Sequence, residues 1–128
     1  MDNKLNVALL IGGPSTEHKI SLLSGNSIYK AIDKNKYNVS VIGIDHSTRW
    51  WLYEGDHFLE TPTDAAKISL KKSGKEVQIK KENDHVVLVD NQSIILKMVD
   101  IFFPVLHGTY GEDGVLQGVF QSVGAAYT

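Results

Sequence analysis

Residues 5–11 form a short segment that is apolar at almost every position and rich in residues that favour strands. A strand that is apolar on both faces is typical of a parallel sheet covered by helices on each side. In a strand with one solvent-exposed face, apolar and polar residues alternate instead. The segment ends at Gly12, Gly13 and Pro14, where a sharp exit leads into a helix. This order predicts an α/β protein with residues 5–11 as a central strand.

A helix and a second strand follow with short connections. Apolar and small residues recur at helical spacing up to about Asp33, and Ser15 or Thr16 can cap the start of this helix. Residues 37–45 then supply the apolar body of a second strand. Strand, helix and strand joined by short links predict a right-handed βαβ unit, the beginning of a Rossmann-like sheet.

The core pattern returns near the end of the chain. Residues 100–104 predict a third parallel strand, and residues 115–123 predict a helix that Asp113 can cap and Gly124 can end. Residues 125–128 have the character of another strand beginning, which suggests a piece of a longer protein. The overall prediction is a three-layer, Rossmann-like α/β domain with a mostly parallel sheet.

The middle of the chain, from about residue 46 to residue 100, predicts an insertion on one edge of the sheet. Residues 50–53 and 57–59 flank a glycine turn and predict a β-hairpin, and residues 77–79 and 86–89 could be a second pair. This region is locally rich in lysine, which would suit an anionic partner. The acidic side chains interleaved with these lysines are more typical of a solvated face.

Composition excludes several classes of function. The 128 residues, 42% hydrophobic and 22% charged, suit one soluble domain with a real core. The chain has no cysteine, so disulfides and thiolate metal sites are excluded. A net charge of -2 argues against a nucleic-acid partner, and no apolar run is long enough for a membrane-spanning helix.

Two turns between a strand and a helix concentrate polar chemistry: residues 12–18 and residues 107–114. If the strands before them are parallel neighbours, both turns open at the carboxyl edge of one sheet, where α/β proteins bind ligands. The shared cleft would hold six polar side chains: Glu17, His18, His107, Tyr110, Glu112 and Asp113. A carboxylate, an imidazole and two helix N-termini together suit a zwitterionic ligand.

Other kinds of site remain open at this point. A nucleotide site is weakly indicated, because the spacing G-x-G-x-x-G and the Walker lysine are missing. A zinc site from His107, Glu112 and Asp113 lacks the usual ligand spacing. A serine hydrolase would need a nucleophile elbow, which is absent. Glu17 and His18 could also be structural residues at a helix start.

The two turns carry a family resemblance. Residues 12–22, GGPSTEHKISL, resemble the first motif of the D-alanine–D-alanine ligases, and residues 106–118, LHGTYGEDGVLQG, resemble their second motif. The order of the motifs, the insertion with its tryptophans and the ending at residues 124–128 are similar as well. The resemblance covers the whole chain.

The resemblance implies a cytoplasmic bacterial enzyme of peptidoglycan synthesis with a pre-ATP-grasp fold. Such a ligase phosphorylates the carboxylate of one D-alanine with ATP, with magnesium or manganese ions on the phosphates, and a second D-alanine attacks the acyl phosphate. The resemblance implies catalytic roles for Glu17 and His107. It also implies that the turns that bind substrate contain Gly13, Ser15, Ser21, Tyr110, Gly111, Glu112 and Asp113.

The resemblance also sets expectations for the whole protein. Family members are considerably longer, so residues 1–128 are expected to form one N-terminal, substrate-side domain that lacks the ATP-grasp domains, contributes to a homodimer and is inactive alone. Lys19 stands where the family usually has an acidic residue, which indicates a surface charge reversal. Alternatives are a ligase that joins D-alanine to D-lactate or D-serine, a non-catalytic binding or dimerisation module, and a nucleotide-binding Rossmann domain.

Overall fold

The computed structural model describes residues 4–106 and 114–128. These ranges contain nine strands and two helices. In chain order they are β1 (Leu5–Gly12), α1 (His18–Ala31), β2 (Tyr37–Ile44), β3 (Trp50–Tyr53), β4 (Leu59–Glu60), β5 (Ser69–Leu70), β6 (Lys75–Glu82), β7 (His85–Val89), β8 (Ile95–Val99), β9 (Ile101–Leu106) and α2 (Val115–Val123).

Seven of these strands form one mixed sheet in the order β8-β7-β6-β3-β2-β1-β9. β1 lies at the centre of a parallel group, with β2 on one side and β9 on the other. The remaining strands continue the sheet beyond β2, and each pairs antiparallel with its neighbour. The predicted α/β class, the parallel βαβ unit and the insertion on one edge are therefore confirmed. The prediction of a mostly parallel sheet holds for β1, β2 and β9 alone, because four of the six pairings in the complete sheet are antiparallel and all four come from the insertion.

The two faces of β1 explain why its sequence is apolar throughout. Leu9 and Ile11 point into a cluster beneath α1, whereas Ala8 and Leu10 point into a second cluster that includes residues of α2. All four side chains are fully buried. Helices cover both faces of the parallel strands, and this confirms the predicted three-layer arrangement.

The sheet must curve strongly, because β8 and β9 lie at opposite ends of the strand order but only Asp100 separates them in the chain. Asp100 joins the two edges through Asn6 at the start of β1. Its backbone N–H donates to the Asn6 carbonyl over 2.8 Å, and its carboxylate accepts from the Asn6 N–H over 2.6 Å. β8 consequently contacts β1, and the sheet wraps around the cluster that contains α2.

The insertion differs from its prediction in one hairpin. Residues 50–53 pair with β2 and β6 and not with residues 57–59, so the predicted tryptophan hairpin is wrong. The chain does turn after Tyr53, but Phe58 and Leu59 pack beneath α1, where β4 pairs with β5 in a separate small sheet. The second predicted pair is confirmed as β6 and β7, joined by a tight turn at Asn83 and Asp84.

The ends of the helices also test the sequence predictions. Glu17 occupies the position before α1, and its own side chain makes no capping hydrogen bond. The predicted role of Ser15 is confirmed in part, because Ser15 Oγ accepts a hydrogen bond from the Glu17 N–H over 3.1 Å although Ser15 is not itself the residue before the helix. α2 ends at Gly124 in the left-handed conformation, as predicted. The predicted cap Asp113 lies outside the described residues. The final segment pairs parallel to β9 through a bridge between Tyr127 and Phe102, which confirms the predicted beginning of a strand.

Candidate functional site

The carboxyl ends of the three parallel strands lie side by side. Gly12, the last residue of β1, is opposite Ile44 at the end of β2 and opposite Leu106 at the end of β9. The turn of residues 13–17 leaves the sheet from this edge and leads directly into α1. We call residues 12–18 the carboxyl-edge turn. It occupies the position at which doubly wound α/β proteins bind ligands.

Gly12 and Gly13 give the turn its shape. Both have positive φ, 97° and 94°, which side chains other than glycine rarely adopt. A Cβ atom on Gly12 would lie 2.4 Å from the carbonyl oxygen of Ile44. The N–H of Gly13 donates to that same carbonyl over 2.8 Å. The turn can therefore lie directly against β2 only because these two residues are glycines.

Ser21 ties the turn to the third parallel strand. It lies in the first turns of α1 and is fully buried. Its Oγ accepts a hydrogen bond from the Gly12 N–H over 2.8 Å and donates to the carbonyl of Val105 near the end of β9. A single buried hydroxyl thus links β1, α1 and β9 at the carboxyl edge.

Glu17 is the exposed acidic residue of the turn. It immediately precedes α1, and its backbone N–H donates to Ser15 Oγ over 3.1 Å. The carbonyl of Glu17 accepts from the Ser21 N–H over 3.0 Å and so begins the helix. The backbone of Glu17 is held on both sides while its carboxylate faces solvent at the positive end of the helix. This arrangement can present a carboxylate to a cationic ligand group.

His18 is buried behind the turn and contacts a residue that the sequence did not indicate. Its Nδ1 lies 2.6 Å from the Gly13 carbonyl oxygen. Its ring stacks on His46, with the centroids 4.1 Å apart and the planes inclined at 27°. Burial is the main cause that lowers the pKa of His18. His46 follows β2 and is 28 positions away in sequence, so no local pattern could have paired the two rings.

Asp45 organises the loop that holds His46. Its carboxylate accepts hydrogen bonds from the Trp51 indole and from the backbone N–H groups of Ser47 and Arg49. Burial opposes its ionisation, but these hydrogen bonds outweigh burial and lower the pKa of Asp45. The loop after β2 is therefore fixed beside the carboxyl-edge turn by an ionised side chain.

Lys19, the departure from the family pattern, is exposed and lies next to the buried His18. Its ammonium donates a hydrogen bond to the carbonyl of Ala66 in the loop between β4 and β5. The lysine thus connects α1 to the insertion.

Several predicted site residues lie outside the described residues: His107, Tyr110, Gly111, Glu112 and Asp113. The zinc site considered from the sequence falls on the same residues. Within residues 4–106 and 114–128, no group of three or more histidine, aspartate or glutamate side chains could hold a metal ion. Neither of the two helices described for this chain has the length and apolar character required to span a membrane.

The fold and the carboxyl-edge turn define an α/β domain of the ligand-binding type, with its turn attached to all three parallel strands. Comparison with known proteins then identifies the family. The model of the D-ala D-ala ligase N-terminus matches residues 6–128. The chain belongs to this family, as the two motifs predicted.

Relatives with known names agree with this membership. The D-alanine–D-alanine ligase of Shouchella clausii is 42% identical over 120 residues, which cover 92% of this chain and 32% of the relative. The D-alanine–D-alanine ligase A of Escherichia coli K12 is 37% identical over 119 residues, which cover 92% of this chain and 33% of that relative. The chain thus spans about a third of the length of these relatives.

Solved structures show the same fold. The D-alanine–D-alanine ligase from Coxiella burnetii has a TM-score of 0.79 at 33% identity, with 98% of this chain and 35% of that chain covered. VanG, a D-Ala:D-Ser ligase from Enterococcus faecalis, has a TM-score of 0.75 at 31% identity and the same coverage. The predicted fold class is confirmed by these likenesses.

Proposed function

We propose that this chain is the N-terminal, substrate-side domain of a cytoplasmic, ATP-dependent D-alanine–D-alanine ligase, which makes the D-Ala-D-Ala dipeptide for peptidoglycan. The observation that carries the proposal is the carboxyl-edge turn. Its backbone is bonded to β2 through Gly13 and to β9 through Ser21, and it leaves the Glu17 carboxylate exposed. A fixed backbone with a free carboxylate is suited to hold an ammonium group in one orientation.

Glu17 would bind the ammonium of the first D-alanine, and the positive end of α1 would favour the nearby substrate carboxylate. In the reaction, an oxygen of that carboxylate attacks the γ-phosphorus of ATP and ADP leaves. The amine of the second D-alanine then attacks the carbonyl carbon, phosphate leaves, and the nitrogen loses a proton. His107 would orient the first D-alanine beside Glu17, with Gly13, Ser15, Tyr110, Gly111, Glu112 and Asp113 shaping the two turns.

ATP and magnesium or manganese belong, in this proposal, to further domains of the whole protein. The described residues contain no carboxylate cluster for a metal, and the chain has no Walker motif. Metal ions would neutralise the ATP phosphates in ATP-grasp domains of the same polypeptide. We also propose that the whole protein is a homodimer. The 128-residue chain alone should therefore not catalyse ligation.

A second candidate is a ligase that joins D-alanine to D-serine or D-lactate. The likeness to the D-Ala:D-Ser ligase VanG favours this candidate, since its TM-score is close to that of the Coxiella burnetii ligase. To distinguish the two candidates, the complete protein is incubated with ATP, D-alanine and each second substrate, and the product is identified by mass spectrometry. A predominant D-alanyl-D-serine or D-alanyl-D-lactate product would replace the first proposal.

The role of Glu17 is tested by Glu17→Gln in the complete protein. This change keeps the shape of the side chain but removes the charge that would pair with the ammonium. We expect kcat/KM for ligation to fall on the order of 100-fold, measured by phosphate release. Glu60→Gln is the matched control, because Glu60 is an exposed carboxylate on β4 and is not part of the turn. Equal rates for both variants would contradict the assignment.

A further inference from the structure

His18 closes the carboxyl-edge turn from behind. Its side chain reaches back five residues to the carbonyl of Gly13, so that Glu17 lies inside the closed loop. Gly13 is held at both of its backbone polar groups, because its N–H donates to Ile44 of β2. Without the bond to His18, the Gly13 carbonyl would lose this partner while the N–H stayed bonded to β2, and a glycine has wide conformational freedom.

The hydrogen bond fixes the tautomer of the ring. A backbone carbonyl oxygen can only accept, so at 2.6 Å the Nδ1 atom of His18 must carry the hydrogen. In the neutral ring Nε2 then bears the lone pair. The tautomer is a property of this contact that can be measured without any activity.

The surroundings of His18 keep the ring neutral and oriented. Burial has the largest effect on the pKa of His18 and lowers it. The hydrogen bond to Gly13 and the carboxylate of Asp45 raise this pKa, whereas His46 and Lys19 lower it further. His46 and Asp45 come from the segment after β2, and Lys19 comes from α1 itself. The stacked ring of His46 covers one face of His18, which is only 7% exposed.

We propose that His18 is a positioning residue for the first D-alanine: its Nδ1–H holds the Gly13 carbonyl, the ring of His46 holds His18, and together they set the orientation of Glu17. The role rests on the proposed function, because Glu17 must be the group that meets the substrate. The His18 side chain bonds to the Gly13 carbonyl and stacks on His46, and it therefore acts on Glu17 through the turn.

The tautomer gives the first test. Long-range ¹H–¹⁵N correlation spectra of the complete protein, labelled at histidine and recorded above pH 7, should show His18 with hydrogen on Nδ1. The His18→Asn spectrum assigns the signal. An Nε2–H tautomer would overturn the proposal, whatever the enzyme does.

Two substitutions separate positioning from packing. In His18→Asn the amide nitrogen can take the place of Nδ1 and donate to Gly13, although the ring is lost. His18→Leu fills much of the same space but donates nothing. We expect His18→Leu to raise KM for the first D-alanine about tenfold, as for the loss of one positioning hydrogen bond. We expect kcat at saturating substrate to change less. KM of His18→Asn should lie between the values of wild type and His18→Leu, because the bond to Gly13 is kept but the stack on His46 is lost.

The reverse order, with leucine tolerated and asparagine not, would show that His18 only fills space and would overturn the proposal. Thermal unfolding of each variant identifies any loss of folded protein.

At the partner ring, His46→Phe retains stacking and should keep KM, whereas His46→Ala should raise it. If wild type forms no D-Ala-D-Ala, the proposed function fails. If wild type is active and His18→Leu is unchanged in KM, only the positioning role fails.

Discussion

At the scale of single residues, the shape of the carboxyl-edge turn depends on Gly12 and Ser21, which other residues cannot replace without loss. Gly12 cannot be replaced without moving β2, because any Cβ would meet the Ile44 carbonyl. Ser21 is buried, and its hydroxyl serves as both acceptor and donor between two strands. Removing it would leave the Gly12 N–H and the Val105 carbonyl without this partner in a dry environment, which is costly.

His18 makes stability depend on pH. Its pKa lies below the ordinary 6.5 because the ring is buried. As the pH falls below about 6.5, the unfolded chain takes up a proton at His18 that the folded chain does not, so the free energy of unfolding falls until the pH reaches the folded pKa. Urea unfolding at several pH values should therefore show a loss of stability on the acid side that is smaller in His18→Asn. Parallel curves for the two proteins would contradict this expectation.

Asp45 also makes the free energy of unfolding depend on pH, and its contribution can be compared with that of His18 in the same measurement. Hydrogen bonds lower its pKa from 3.8 despite burial, so its contribution to stability is present above 3.8 and is lost at lower pH. The loss of stability from His18 thus begins below about pH 6.5 and that from Asp45 only below 3.8, and the loss that begins nearer neutrality is the one that should respond to His18→Asn.

The sequence located part of the candidate site. Glycines at 12 and 13 and the acidic residue before a helix are local patterns, so the turn and Glu17 could be found without a structure. The contact of His18 with His46 could not be found, because it depends on how the end of β2 lies beside α1. The partners of the Ser21 hydroxyl likewise come from β1 and β9, which are distant in the chain.

At the scale of elements, the strands and the helix that local patterns define were predicted correctly, whereas the distant pairing of residues 50–53 was not. β1, α1 and β2 were predicted because apolar periodicity is a local property. The tryptophan hairpin was wrong because residues 50–53 find partners in β2 and β6, one of them more than 20 positions away. β8 was not predicted, since four of its five residues are not buried and its sequence shows no clear alternation.

The turn between β6 and β7 offers a prediction at this scale. Asn83 and Asp84 both have positive φ, 49° and 66°, in a two-residue connection that favours Asn-Gly. Asp84→Gly should stabilise the protein by about 0.5 kcal/mol, because relief of the left-handed backbone exceeds the entropy cost of glycine. Asp84→Ala should be destabilising. Chemical denaturation measures both, and the same sign for both variants would show that φ does not control this turn.

At the scale of the whole molecule, aromatic packing joins the last elements to the sheet. Phe120 of α2 is fully buried and stacks on Phe102 of β9 at 4.9 Å between centroids. Phe120 also contacts Tyr127 of the final segment, with the ring centroids again 4.9 Å apart. This stack fixes α2 against the parallel strands.

Phe120→Ala should destabilise the protein by about 3–5 kcal/mol, because it removes a ring from a closed cluster and leaves a cavity. Gln121→Ala, an exposed position in the same helix, should change the free energy of unfolding by no more than about 0.5 kcal/mol. Urea unfolding monitored by circular dichroism compares the two. A loss below about 1 kcal/mol for Phe120→Ala would mean that the stack contributes little to holding α2.

The joint at Asp100 restricts how this domain can vary in length. Because a single residue separates β8 from β9, one additional or missing residue there would exchange the inward and outward sides of one strand or force a bulge. In β9 that exchange would turn Phe102 out of one core layer and Val105 out of the other. We therefore expect insertions and deletions in the surface turns further back in the insertion, whereas the number of residues from β8 through Asp100 to the end of β9 is fixed.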